Sequence, residues 1–410
     1  MPVITVFNGS FCRQDKVAGL LSAPDGFPRL TDEDVVGAAA EISGGPVSKI
    51  SRAFTARTSV FNNFTHEKEC SIALLKLALA QRLGDENLLV TGFSGHLIPK
   101  SISHVLRVCL IGNTDFRIHQ AVLEGEMTEK EAARYIRKAD EDASAWTNRL
   151  FQQPDPWHKG LYDIVIPMHV TTDTSAADLI EKNANADILT PTASSIQAVE
   201  NFKLAAAVET ALSMEGHNVD VSADAGAVSL TINKHVLMLG RLEDELTEIV
   251  EKVAGVKEVK TSVGKDFHKS NIYRKHDFRV PSRVLLVDDE REFVQTLSER
   301  LLLRNMGSAM VYDGESALNL IEDDAPDVMI IDLKMPGIDG LEVIKQVKKT
   351  RPKIEIIVLT GHGSEADRQR CMSLGAFDYL QKPVDFELLS EALKRAHDKI
   401  GKTRPCDADK

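Results

Sequence analysis

Two adjacent carboxylates close an apolar run in Arg283-Val-Leu-Leu-Val-Asp-Asp-Glu290, and a third closes Asp327-Val-Met-Ile-Ile-Asp332. A hydroxyl, Thr360, ends the run that begins at Ile354, and an amine, Lys382, follows Asp378-Tyr-Leu-Gln381. Three carboxylates crowded together repel one another unless a divalent cation sits among them. A carboxylate can also attack a phosphoryl group, and a neighbouring lysine offsets charge on the transferring oxygens. The spacing therefore predicts a metal-dependent phosphate site within residues 283–400, built around Asp288, Asp289 and Asp332.

Each of these residues needs a strand to deliver it. Val284–Val287 and Val328–Ile331 are continuous apolar runs, as expected of strands buried on both faces. Ser308–Tyr312 reads as a weaker strand. Phe293, Leu297 and Leu301 recur at helical spacing, as do Phe386, Leu389 and Leu393. Strand and helix alternate five times, which predicts a doubly wound α/β domain with ligands at the C-terminal edge of its parallel strands.

Residues 283–400 resemble a response-regulator receiver domain, with a flavodoxin-like five-stranded parallel sheet. The resemblance implies Asp332 as phosphoacceptor and Asp288 and Asp289 as the acidic pair that holds Mg²⁺, with the Lys334 carbonyl as a further ligand. It implies Thr360 as the switch hydroxyl, Lys382 as the phosphate-contacting lysine and Tyr379 as the switch aromatic. Pro336 and Gly340 fit the loop after the phosphoacceptor, and Pro383 fits the family's cis proline. The implied phosphodonor is a sensor histidine kinase, and a phosphorylation-dependent homodimer through the face that carries Tyr379 is expected.

At 410 residues the chain is long enough for two or three domains. Its net charge of −12 argues against a general nucleic-acid footprint, and no helix-turn-helix pattern is present, so DNA binding is not expected. Five scattered cysteines (Cys12, Cys70, Cys109, Cys371, Cys406) show neither metal-ligand nor redox spacing. The chain opens Met-Pro-Val-Ile-Thr-Val-Phe without a basic leader, and no apolar run reaches membrane-spanning length. A cytoplasmic protein with reduced thiols is expected.

Residues 1–185 form a second α/β pattern. Strands are expected at Val3–Phe7, Asn87–Thr91, Val105–Ile111 and Tyr162–Pro167, with helices at Cys70–Arg82 and Thr128–Leu150. Thr128-Glu-Lys-Glu131 fits a capping box. Together Ile4-Thr-Val, the Gly92/Gly95 loop, Arg107-Val-Cys-Leu, Phe116-Arg-Ile118, Glu131-Ala-Ala, Asp140 and Tyr162-Asp163 resemble the cytidylate-kinase-like group of P-loop nucleotide kinases. The phosphate loop departs from that pattern. Asn8-Gly-Ser-Phe-Cys-Arg-Gln-Asp-Lys16 has one glycine, and the family's glycines fall on Phe11, Cys12, Arg13 and Gln14. Such loops use glycine so that backbone N–H groups can approach phosphate. Arg117 remains in the lid region, but its expected partner arginine is Gln120, and Glu-Asp-Ala-Ser follows Asp140. Arg13, Lys16 and Arg117 are the candidate substitutes for a working kinase. Arg52 and Arg57 are candidates for holding a nucleotide monophosphate or other anion.

Residues 196–266 form a small α+β unit. Gly226, Val228 and Leu230, with Gly255, Val256 and Val259, resemble the motifs of a BON domain. A hinge over 267–282 and a disordered tail over 401–410 complete the expected organisation. The resulting reading is a two-component response regulator with an N-terminal kinase-like effector that has lost activity. The alternative is a nucleotide kinase gated by the receiver.

Overall fold

The computed structural model describes residues 2–22, 26–84, 87–125, 127–233, 239–265, 283–302, 304, 306–361 and 364–403. The expected hinge over 267–282 lies outside the described residues. The chain forms two compact units. One comprises Met1–Thr58, Lys68–Met214 and Asn218–Tyr273; the other comprises Ser59–Glu67, Glu215–His217 and Arg274–Lys410.

The first unit holds two sheets. Strands β1 (Val3–Asn8), β2 (Arg29–Leu30), β3 (Leu88–Thr91), β4 (Val105–Ile111) and β5 (Ile164–Pro167) form a sheet in the order β2-β3-β1-β4-β5. All of its pairings are parallel. Alternation along β1 serves two cores. Ile4 and Val6 pack with Val17, Ala18 and Ile180 of the helices Gln14–Leu21 and Asp173–Ala184. Val3 packs with Leu75, Leu79 and Trp146 of the helices Glu67–Arg82 and Glu129–Phe151. The Thr128/Glu131 capping box is formed. The two-residue β2 was not expected.

Strands β6 (Asp220–Asp224), β7 (Ala227–Ile232) and β8 (Glu258–Val263) form the second sheet, with β6 and β7 antiparallel and β7 and β8 parallel. Val228, Leu230 and Ile232 point into a core completed by the helix Leu239–Glu251 and by Val208 and Leu212 of the helix Ala193–Met214. Earlier turns of that same long helix insert Val199, Phe202 and Ala206 into the first core.

The second unit carries β9 (Val284–Val287), β10 (Ser308–Val311), β11 (Val328–Ile331), β12 (Glu355–Thr360) and β13 (Asp378–Gln381). They run in the order β10-β9-β11-β12-β13, all parallel. This is the flavodoxin-like arrangement that the apolar runs predict. The helices Arg291–Leu302 and Phe386–Thr403 cover one face, and Gly314–Asp323, Gly340–Thr350 and Glu365–Ser373 cover the other. The last helix runs through Thr403, so the expected tail is shorter at its start by one helical turn; residues 404–410 lie outside the described residues.

Candidate functional site

The order of the second-unit sheet puts β9 and β11 side by side, with Ile331 opposite Val287. The residues that follow, Asp288 and Asp332, therefore emerge together at the C-terminal edge. The Asp332 N–H donates to the Val287 carbonyl at 2.9 Å, which locks that register. Ligand oxygens of Asp288, Asp289 and Asp332 lie within 4.8 Å of one another. Thr360 ends β12 and is fully buried; Lys382 follows β13, its N–H donating to the Thr360 carbonyl at 2.9 Å. The Lys382–Pro383 peptide is cis. Asp288, Asp289, Asp332 and Lys382 come together at this edge and Thr360 ends a strand there, whereas Tyr379 lies within β13, opposite Val358.

The electrostatics are those of a cation site. Lys382 Nζ lies 2.7 Å from Asp288, 2.8 Å from Glu290 and 3.3 Å from Asp332 Oδ2. It also sits 4.3 Å from the Phe293 ring centroid. Burial pushes the Asp288 carboxyl above its ordinary range, and Lys382 offsets only part of that. Burial alone would lower the Lys382 amine, but hydrogen bonds to Asp288 and Glu290 and the charges of Asp288 and Asp332 raise it overall. Asp332 Oδ1 accepts from the Leu333 N–H at 2.6 Å, which leaves Oδ2 facing Lys382. Gly340 packs against this turn; a Cβ there would lie 2.3 Å from the Asp332 carbonyl oxygen. Three carboxylates offering oxygen donors, with one amine only partly compensating them, suit a hard divalent cation such as Mg²⁺.

Tyr379 is 9% exposed and packs with the buried Cys371 and Ala376; its hydroxyl has no hydrogen-bond partner among the described residues. Glu290 and Phe293, both against the lysine, were missed from sequence. Glu290 adjoins the acidic pair, but its reach to Lys382 spans 92 residues.

The first unit holds a cleft of about 870 Å³ at the C-terminal edge of its larger sheet, lined by Asn8, Ser10, Phe11, Arg13, Lys16 and Asp140 among others. The loop after β1 has kept turns that suit glycine: Phe11 has φ 63° and Arg13 φ 57°. Left-handed backbone at such residues costs of order 1 kcal/mol each.

Each cation near this loop is already committed to the chain itself. Arg13 Nη2 donates to the Met168 and Thr171 carbonyls at 2.7 Å, and its Nε lies 3.2 Å from Asp173. Lys16 pairs with Glu124 at 2.9 Å, and Arg29 pairs with Asp15. Arg117 grips Asp140 through two bonds of 2.9 and 2.7 Å and donates to the Ser10 carbonyl at 2.9 Å. Asp32 fills the turn after β3, accepting from the N–H groups of Phe93 and Ser94 at 2.8 Å and from Ser94 Oγ at 2.6 Å. Burial pushes its carboxyl up to about 6, against the pull of those bonds. Glu33 and Asp142 add further acids to the lining, which does not include Arg52 or Arg57. The lining thus sets the carboxylates of Asp15, Asp32, Glu33, Glu124, Asp140 and Asp142 against the cations of Arg13, Lys16 and Arg29.

Comparison with known proteins gives two regions of the chain a family. Residues 284–394 match the response regulator receiver domain, and residues 3–170 match the cytidylate kinase-like family. "Response regulator MprA" of Mycobacterium bovis (strain BCG / Pasteur 1173P2) is 37% identical over 126 residues, covering 31% of this chain and 54% of the relative. Its namesake in Mycolicibacterium vanbaalenii is 38% identical over 128 residues, with the same coverage. The chain thus spans about half the length of the curated relatives it matches. A solved receiver domain protein from Clostridium thermocellum is 30% identical, with TM-score 0.29, and covers 29% of this chain and 97% of that one. The chain therefore carries a receiver domain toward its C-terminus and a cytidylate-kinase-like region toward its N-terminus. No described helix is long and apolar enough to cross a membrane.

Proposed function

We propose that the chain is a cytoplasmic response regulator in which a sensor histidine kinase donates a phosphoryl group to Asp332. The observation that carries this reading is the convergence of Asp288, Asp289, Asp332, Thr360 and Lys382 on one sheet edge, with Asp332 Oδ2 facing Lys382 at 3.3 Å. In the transfer, Asp332 Oδ2 forms a bond to phosphorus, the phosphorus–nitrogen bond breaks, and the electron pair stays on the departing imidazole. Lys382 holds charge on the transferring oxygens, and the Leu333 N–H fixes the carboxylate through its other oxygen. A Mg²⁺ ion held by Asp288, Asp289, Asp332 and the Lys334 carbonyl would supply the remaining charge neutralisation.

The acyl phosphate adds charge and acceptor oxygens beside Thr360, and the face that carries Tyr379 is the element it biases toward a homodimer. The kinase-like region acts as an interaction platform and not as a nucleotide kinase, because its cations are paired internally. The small sheet around β7 is a BON-like adaptor that contacts a downstream protein. The test is labelling with acetyl phosphate and Mg²⁺. Asp332→Asn is expected to abolish the acyl phosphate, and undiminished labelling would place the phosphoacceptor elsewhere.

A further inference from the structure

A second pocket, of about 210 Å³, lies in the first unit on the face of the larger sheet that carries Thr5 and Phe7. Its wall is apolar and aromatic, with Phe7, Leu97, Phe151 and Leu161, and Gly95 lets the turn after β3 lie against Thr5. The charged residues that line it are Lys76, Lys100 and Arg107, and no carboxylate lines it among the described residues.

The two lysines are spoken for. Lys76 pairs with Glu209 at 2.8 Å, and Lys100 donates to the Gly160 carbonyl at 2.8 Å. Arg107 differs. Its guanidinium donates only to neutral carbonyls, those of Val105 at 3.2 Å and Pro99 at 2.9 Å, and no ion pair joins it among the described residues. Burial lowers the guanidinium pKa overall, outweighing Asp163, which acts to raise it and whose Oδ2 accepts from the Arg107 backbone N–H at 2.8 Å. A guanidinium carries five N–H donors in a fork that matches a carboxylate, so several remain uncommitted. His96 does not supply a second charge. Tyr162 gives its hydroxyl proton to the Pro156 carbonyl at 2.6 Å, and His96 Nε2 lies 3.1 Å from the Tyr162 hydroxyl oxygen. Burial and Arg107 push His96 down to about 3, so it stays neutral.

We propose that this pocket binds a small aromatic carboxylate, its ring against Phe7, Phe151 and Leu161 and its carboxylate on the Arg107 fork. The site adjoins the acidic cleft, with Phe7 and Gly92 in both linings, but Arg107 lines this pocket and not the cleft; it would make the first unit a receptor for a metabolite. Its charged anchor, Arg107, lies on β4 and not in the loop after β1, so the departures in that loop leave it in place.

The experiment is ¹⁹F NMR on the full chain with 4-fluorobenzoate, using 4-fluorobenzamide as the uncharged twin. A ligand of this size is expected to bind with Kd of about 1 mM. The carboxylate should bind at least about tenfold more tightly than the amide, and Arg107→Met should remove that preference. Lys16→Ala, in the acidic cleft, should leave it intact. If Trp fluorescence shows that Arg107→Met is unfolded, Arg107→Lys keeps the charge without the fork and should weaken binding several-fold. Equal binding of the two probes, no binding at about 10 mM, or loss with Lys16→Ala and retention with the Arg107 variants would each overturn the proposal.

Discussion

Replacing Lys382 by methionine keeps the bulk of the side chain and its place on Phe293 while deleting the charge. The lysine and its two deepest partners, Asp288 and Asp332, have side chains only 11%, 6% and 8% exposed. Removing one member of a buried ionic cluster costs about 3–5 kcal/mol, because the carboxylates left behind are uncompensated. Glu290 is 64% exposed and adds little. The low end, about 3 kcal/mol, is the expected loss in EDTA. Both tryptophans, Trp146 and Trp157, lie in the first unit, so their fluorescence is blind to this change. Hydrogen exchange read on peptides from β9 and β11 reports it directly. At 1.36 kcal/mol per decade, amides that exchange through global opening should speed up about a hundredfold. Mg²⁺ at ten times its Kd should return about 1.4 kcal/mol to any state that binds it. The variant, with its carboxylates free, should gain more from Mg²⁺ than the parent, so the gap should narrow. Unchanged exchange in EDTA would refute the idea that the lysine holds the acidic cluster together.

Gly340→Ala places a Cβ within 2.8 Å of the Leu333 Cα as well as against the Asp332 carbonyl, so backbone must move. It should cost about 2–3 kcal/mol in receiver exchange protection and slow acetyl phosphate labelling. Asp32 has a folded pKa of about 6, above its unfolded value of about 3.9. Its contribution to stability is therefore full below pH 4 and lost as pH rises through 6. Relative to Asp32→Asn, the parent should lose about 2 kcal/mol between pH 4 and pH 7, read by tryptophan fluorescence in urea; parallel profiles would contradict this. Calorimetric titration of ATP with Mg²⁺ into the full chain should give no heat, because Arg13, Lys16 and Arg117 are paired internally. Micromolar binding would reverse the reading of the cleft.

The receiver was legible because its chemistry follows directly on its strands. A four-residue apolar run ending in Asp288 or Asp332 states both the element and the place of the ligand, and parallel pairing does the rest. The cleft was only half legible. That Phe11 and Arg13 replace glycines can be read along the chain, but their left-handed backbone cannot, since nothing local favours it in those residues. Nor could the pairing of Arg13 with Asp173 or Lys16 with Glu124 be read, because those partners are brought together only by strand order. The strand β2 escaped because Arg29–Leu30 is too short to show a period. Arg107 sits in a strand whose apolar pattern hid it; that its guanidinium donates to the Val105 and Pro99 carbonyls is visible only in three dimensions.

The helix Ala193–Met214 places Val199, Phe202 and Ala206 in one core and Val208 and Leu212 in the next. It is further bound to the helix Glu67–Arg82 by the Lys76–Glu209 pair and by Thr210 Oγ1 on the Ala73 carbonyl at 3.2 Å. A rod threaded through two cores leaves no seam between them. Cutting the chain before residue 193 would strip a buried phenylalanine from the larger sheet, and cutting after residue 206 would leave the smaller sheet with only the last two turns of that helix. Neither sheet can be transplanted as a cassette. Gene rearrangements that shuffle receivers among different partners can therefore be expected to carry the two sheets together, as one inherited block.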